Sequence, residues 1–177
     1  MTQHVMRDFT SRTGIIRRTL LVTLIANTSI YTLDDLETGL EIVRVKACQM
    51  DGCRLRATAP EEVPDGLTGT PAMYIGLPPD QIQFVPTPVE TGTVDVGLVA
   101  QTTSDTQSIP DEVTQRWLQQ VSFGCLGRLF AMPNKQWTDA AAASYYLPLY
   151  EREVRRARHD ADTQYRRIDF HTRPVRW

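Results

Sequence analysis

The last third of the chain carries two helical patterns joined by a loop of only six residues, and that brevity limits how the rest can be arranged. Over residues 108–131, Val113, Trp117, Val121, Cys125 and Leu129 recur every four positions, widened by Leu118 and Leu126. This spacing predicts an amphipathic helix. Ser108 can cap it, Pro110 suits its first turn, and Asp111 and Glu112 face the positive end of its dipole. Met132-Pro133 stops it, and Thr138 is the expected cap of a second helix that runs to about Arg167. The second helix predicts a buried line of Tyr146, Tyr150, Val154, Ala157, Ala161 and Tyr165, with a kink at Pro148. Helices tied so closely lie antiparallel, and Gly124, Gly127 and the four alanines at 140–143 would let their backbones approach. Glu151 with Arg155, Arg156 with Asp160 and Asp162 with Arg166 are four apart and dress the solvent face.

Before position 108 the periodicity changes to that of strands. Residues 19–25 place Leu20, Val22 and Leu24 on one face, and residues 30–33 form a short second strand. Residues 40–48 set Val43, Val45 and Ala47 against Arg44 and Lys46. Asp51-Gly52 then supplies the positive φ angles of a tight hairpin, and residues 54–58 return with Leu55 and Ala57 inward. Residues 59–71 are a Pro- and Gly-rich loop, and residues 72–77 a further strand. Residues 81–86 alternate as another strand, and its prolines predict an edge position. Residues 93–103 are the longest strand, burying Val94, Val96 and Leu98.

The expected fold is α+β. An antiparallel β-sandwich or small barrel at 14–107 is followed by a C-terminal α-helical hairpin at 108–167 and an extended tail at 168–177. Residues 1–13 are polar and aperiodic and read as an arm. The tail carries Phe170, Val175 and Trp177, aromatic and apolar residues that suit docking better than free solvation.

Cys48, Cys53 and Cys125 are expected to be thiols. A two-residue turn at Asp51-Gly52 would set Cys53 opposite Met50 and Cys48 opposite Leu55, with the sulfurs on opposite faces. Only a four-residue loop would bring the two cysteines together. The longest apolar stretch, residues 20–26, is strand length, so no membrane span is expected, and the N-terminus lacks a signal-peptide pattern. Synthesis in the cytoplasm is the default. Eight Arg against five acids from Tyr150 onward leave residues 1–149 at −5, which suits copies meeting head to tail.

Catalytic and ligand-binding patterns are missing. His4, His159 and His171 have no metal-ligand spacing, and Gly66-Leu67-Thr68-Gly69 lacks the Lys and helix of a phosphate loop. Adjacent acids at Asp34-Asp35 and Glu61-Glu62 diverge instead of converging on a substrate. No enzyme activity, cofactor or metal is expected. Arg152, Arg155, Arg156 and Arg158 could meet phosphates, though a helix laced with acids fits inter-subunit ion pairs better. Trp137, Tyr145 and Tyr146 fit packing better than base stacking.

Three stretches together resemble the head-to-tail adaptor family of tailed-bacteriophage virion proteins, related in layout to the tubular gatekeeper rings of short-tailed phages. Residues 28–63 carry Thr-Ser-Ile-Tyr-Thr-Leu, Glu-Ile-Val-Arg-Val, Asp-Gly-Cys-Arg-Leu and Ala-Pro-Glu-Glu. Residues 72–98 carry Tyr74-Ile75-Gly76-Leu77, Pro86-Thr87-Pro88 and Gly92-Thr93-Val94. Residues 109–161 carry Ile109-Pro110-Asp111, Gly124-Cys125-Leu126-Gly127-Arg128-Leu129, the loop 132–138 and the Ala–Tyr helix. Such adaptors usually begin with helices, where this chain has a dozen polar residues.

The resemblance implies a homo-oligomeric ring, commonly of twelve copies, stacked under the portal around the DNA channel in the virion neck. Its partners would be the portal protein and tail tube, nozzle or fibre proteins, with DNA passing unbound. The predicted interface is Trp137, Tyr145, Tyr146, Arg152, Arg155, Arg156, Arg158, Phe170, Val175 and Trp177. A collar or fibre-docking tail subunit is the second reading. A carbohydrate- or ligand-binding β-domain using Trp137 and residues 59–71 is the third.

Overall fold

The computed structural model describes residues 2–34, 36–64, 66–105 and 109–163, and the chain divides into two compact units, residues 1–110 and 111–177. The first unit opens with helix α1 (Thr2–Thr13) and continues through β1 (Ile16–Leu24), β2 (Ile30–Thr32), β3 (Leu40–Met50), β4 (Cys53–Arg54) and β5 (Arg56–Ala57). A 3-10 turn (Pro60–Glu62) leads to β6 (Thr68–Gly69), β7 (Met73–Leu77), β8 (Gln81–Val85), β9 (Thr87–Pro88) and β10 (Gly92–Thr102). The second unit contains α2 (Asp111–Thr114), α3 (Leu118–Phe130) and α4 (Ala140–Asp162). The protein is therefore α+β with mainly antiparallel sheets and a C-terminal helix.

Two four-stranded sheets, ordered β1-β10-β3-β4 and β2-β8-β7-β5, share one apolar core. Leu24, Val94, Val96, Leu98 and Cys48 come from the first sheet, and Tyr31, Tyr74, Ile82 and Phe84 from the second. Neither sheet closes into a barrel among the described residues. Val94, Val96 and Leu98 are buried on β10, and Leu20 and Val22 pack on the core from β1, as alternation predicts. Leu21, on the opposite face, is 66% exposed.

Residues 2–13 are not part of an arm. They form α1, which packs on β10 and buries Val5, Met6, Phe9, Thr10 and Thr13. The stripe is hidden in the sequence because two of its members are threonines. Their hydroxyls donate to their own helix, Thr10 Oγ1 to Met6 O at 3.0 Å and Thr13 Oγ1 to Phe9 O at 2.7 Å. The side chains then bury largely as methyl groups. The Thr102 amide donates to Thr10 Oγ1 at 3.3 Å, tying the helix to β10. Gly14, at φ 62°, ends α1 by donating its amide to Thr10 O.

Strand β3 departs from strict alternation. Its register against β10 slips twice, skipping Lys46 and then Val43, so Ile42, Val45, Cys48 and Met50 face the core. Val43 and Ala47 do not join that inward set, and Val43 is 37% exposed. The return strand is also split: β4 pairs with β3, whereas β5 pairs parallel with β7. Leu55 between them is buried and Ala57 is exposed. Strand β8 lies between β2 and β7, away from the sheet edge, because its prolines fall outside the paired residues 81–85. β6 and β9 form a further parallel pair.

The hairpin turn follows its local chemistry. Asp51 and Gly52 both have positive φ, 49° and 79°, and Met50 pairs with Cys53 while the Leu55 amide donates to Cys48 O. Cys48 is buried, Cys53 is exposed, and they are not bridged. Burial pushes the Cys48 thiol up to about 12. At pH 8, iodoacetamide is expected to label Cys53 quickly and Cys48 only on unfolding, as read by peptide mass. The unfolded thiol ionises first, so Cys48 contributes a loss of stability as pH rises from 9.0 towards about 12. A melting temperature for Cys48→Ala that falls over this window as steeply as the parent's would contradict that assignment.

Candidate assembly surface

The second unit starts with a break that the four-residue repeat conceals. Side chains spaced by four drift about 40° per step around a helix of 3.6 residues per turn, so one stripe cannot stay inward over sixteen residues. The chain resolves this by ending α2 at Thr114 and restarting at Leu118, with Trp117 at φ −120° between them. Val113, Trp117 and Val121 are buried, after which Gly124 and Gly127 take over and Cys125 and Leu129 are only half-buried. The proposed Ser108 cap lies outside the described residues.

Helices α3 and α4 pack against each other through a bound loop. The Ala131 amide donates to Gly127 O, and Asn134 takes a positive φ of 58°. Thr138 does not cap α4. Its hydroxyl donates to Met132 O at 2.6 Å and accepts from the Lys135 amide at 3.0 Å, which closes the loop. Asp139 is the cap, its Oδ1 accepting from the Ala141 and Ala142 amides at 2.9 and 3.0 Å. A carboxylate here also meets the positive end of the dipole, an advantage a hydroxyl lacks. The Asp139 amide donates to Phe130 O at 3.1 Å, joining the two helix ends.

Close approach falls at one glycine. A Cβ on Gly127 would lie 2.8 Å from Leu147 Cδ2 and 3.2 Å from the Leu147 backbone nitrogen. Ala143 is buried, whereas Ala140 and Ala141 are exposed, so the alanine run does not form the seam as a block. Tyr146 is half-buried and stacks on Phe123 and Phe130 at centroid distances of 6.1 and 6.0 Å. Tyr145 meets it edge-on at 5.2 Å. α4 runs through Pro148 and ends at Asp162, where Thr163 donates its amide and hydroxyl to His159 O. Tyr150, Val154, Ala157 and Ala161 are buried as predicted, and Tyr165 lies outside the described residues.

The exposed face of this unit has two chemically distinct halves. From Ala140 to Tyr150 there is no charged residue, yet Tyr145 is 63% exposed and Ala141, Ser144 and Pro148 are also open. Trp137, 47% exposed, stands in the loop before it. Beyond Glu151 the face is ionic. Glu153 is buried and holds Arg152 at 3.1 Å and Arg156 at 3.7 Å, although both arginine side chains are mostly exposed. Arg156 thus reaches back to Glu153 where Asp160 was expected, and Arg158 pairs with Asp162 at 4.0 Å. Arg155 donates to Glu151 O at 3.3 Å. The Arg158–Asp162 pair, exposed on both sides, contributes at most about 1 kcal/mol, whereas the buried Glu153 carboxylate holds Arg152 and Arg156 in place.

Of the residues singled out, Trp137, Tyr145, Tyr146 and the four arginines share this unit. Phe170, Val175 and Trp177 lie outside the described residues, as does Arg166. Phe123, Phe130 and Glu153 were not anticipated. The aromatic pair was recoverable from its seven-residue spacing. Among the described residues no three of His, Cys, Asp or Glu cluster as metal ligands, and no helix is long and apolar enough to cross a membrane.

Exposed aromatic residues and arginine, which this face sets side by side, are among the residue types enriched at protein interfaces. The sequence profile of the SU10 adaptor protein family matches residues 3–176. The chain belongs to that family. It is a family of phage head-to-tail adaptors, and the match takes in α1, the β unit and the helical unit alike. No curated protein matches the sequence.

Proposed function

We propose that the protein is a structural subunit of a tailed-phage neck that forms a ring of identical copies, joining portal to tail around the DNA channel. The observation that carries this reading is the adaptor-family match over residues 3–176. The charge distribution supports it. The first unit has eight Lys or Arg against thirteen Asp or Glu, and the second has eleven against eight. A basic face meeting an acidic one is a head-to-tail contact, which forms a ring where its rotation closes, and twelve copies is the number the resemblance implies. In this arrangement the α3–α4 hairpin is the rigid wedge and the two sheets, a sandwich in layout, carry contacts to portal, tail or fibre proteins. Residues 168–177 reach a neighbour. DNA passes without specific binding, because Glu153 and Asp162 already engage Arg152, Arg156 and Arg158.

α1 supplies a helix at the start of the chain, as such adaptors usually have, and so favours the adaptor reading over a collar or fibre-docking subunit.

Sedimentation of the purified chain, alone and with portal protein, tests the proposal. A multi-copy ring is expected. Tyr145→Glu with Arg155→Glu is expected to weaken association at least tenfold without lowering the melting temperature, since both side chains are exposed. Removing residues 168–177 is expected to abolish docking and leave the fold intact. A parent chain that stays monomeric with portal present would sink the reading.

A further inference from the structure

One flank of the first unit is left open. β3 pairs with β10 along its length but with β4 only at Gln49 and Met50, so from Glu41 to Val45 no described strand covers its other side. β7 is open in the same way beyond Tyr74, where its pairing with β5 ends. Between the two edges lies a cleft of about 300 Å³. Ile42, Val45, Leu77 and Pro78 line it together with the buried Leu33 and Tyr74. Gly76 keeps it wide, since its missing side chain would stand 3.9 Å from Val45 Cγ2. Val43 is exposed at the mouth, and Arg44 stands beside it. Unpaired strand groups next to an apolar slot are the two requirements for strand addition: the backbone supplies affinity and the slot takes alternate side chains.

The chain itself carries a segment of matching pattern. Fourteen residues follow Thr163, enough to span about 46 Å when extended. Within them Ile168, Asp169 and Phe170 alternate apolar, acidic, apolar. Ile168 and Phe170 suit the slot, and Asp169 between them would face Arg44. We propose that the open edge of β3 and its cleft receive residues 168–177 of a second copy as an added strand. This inference rests on the ring reading, which sets copies side by side, and it names the surface on which the tail docks.

The test uses a fluorescein-labelled synthetic peptide of residues 164–177, titrated with the full chain and read by anisotropy. Saturable binding is expected, with slowed amide exchange at residues 41–45. Val43→Glu and Leu77→Glu chains are expected to bind at least tenfold more weakly while melting as the parent does. A peptide carrying Ile168→Ser and Phe170→Ser is expected to lose binding equally. Absent binding at millimolar peptide overturns the proposal, as does binding that neither set of changes weakens. It is also overturned if the Val43→Glu chain self-associates like the parent but fails to hold portal protein, since the slot then serves another protein's segment. Sedimentation reads the ring separately. A ring without peptide binding rejects only this site, and peptide binding without a ring rejects only the ring.

Discussion

Replacing Phe9 with alanine is expected to cost about 3–5 kcal/mol, measured by equilibrium denaturation. Phe9 is fully buried on α1, among Val5 and Met6, on a helix that the Thr10–Thr102 contact ties to β10. Truncation removes the transfer free energy of the ring and leaves a cavity that a helix tied to β10 at Thr10 cannot readily fill by shifting. In a chain of this size each kcal/mol is worth roughly 2–4 °C of melting temperature, so the change is readily seen. An exposed arm predicts a loss within about 0.5 kcal/mol, and that outcome would remove α1 from the folded core.

Gly127→Val is expected to cost about 3 kcal/mol or more and to weaken self-association with it. The clash is with Leu147 Cγ and Cδ2, and also with the Leu147 backbone nitrogen at 3.2 Å. Rotating one leucine cannot relieve a contact to backbone, so α3 and α4 must separate. Separation would pull Tyr146 from its stacking with Phe123 and Phe130 and strain the Asp139–Phe130 hydrogen bond. Gly127→Ala should be milder, about 1–2 kcal/mol, because the better helix propensity of alanine returns about 1 kcal/mol. The measurement is thermal unfolding by circular dichroism paired with sedimentation. If Gly127→Val melts like the parent, the helices do not pack as closely as described.

The two substitutions differ in how visible their basis is in the sequence. Gly127 stands out as a small residue in an apolar helix, and close approach follows from that alone. Its partner does not: the alanine run is the obvious candidate, whereas the contact is Leu147. Phe9 gives less warning, because Thr10 and Thr13 make the helix look polar until their hydroxyls are seen bonded to Met6 O and Phe9 O. Exposure of Trp137 and Tyr145 agrees with a surface role, yet the buried Glu153 that orients Arg152 and Arg156 has no signature, since a helical Glu between arginines usually faces water.

What residues alone decided here was local. The Asp51–Gly52 turn follows from its demand for positive φ, the inward Val94, Val96 and Leu98 from alternation, and the stop after Phe130 from the Met132-Pro133 pair. Each depends on neighbours within a few positions, where sterics and periodicity leave little choice. The double bulge in β3, the crossing of residues 53–57 between sheets, the central place of β8 and the open edge beside the cleft were settled only by the tertiary fold. They turn on which distant strands compete for the same backbone hydrogen bonds and the same core volume, and no short stretch of sequence records that contest.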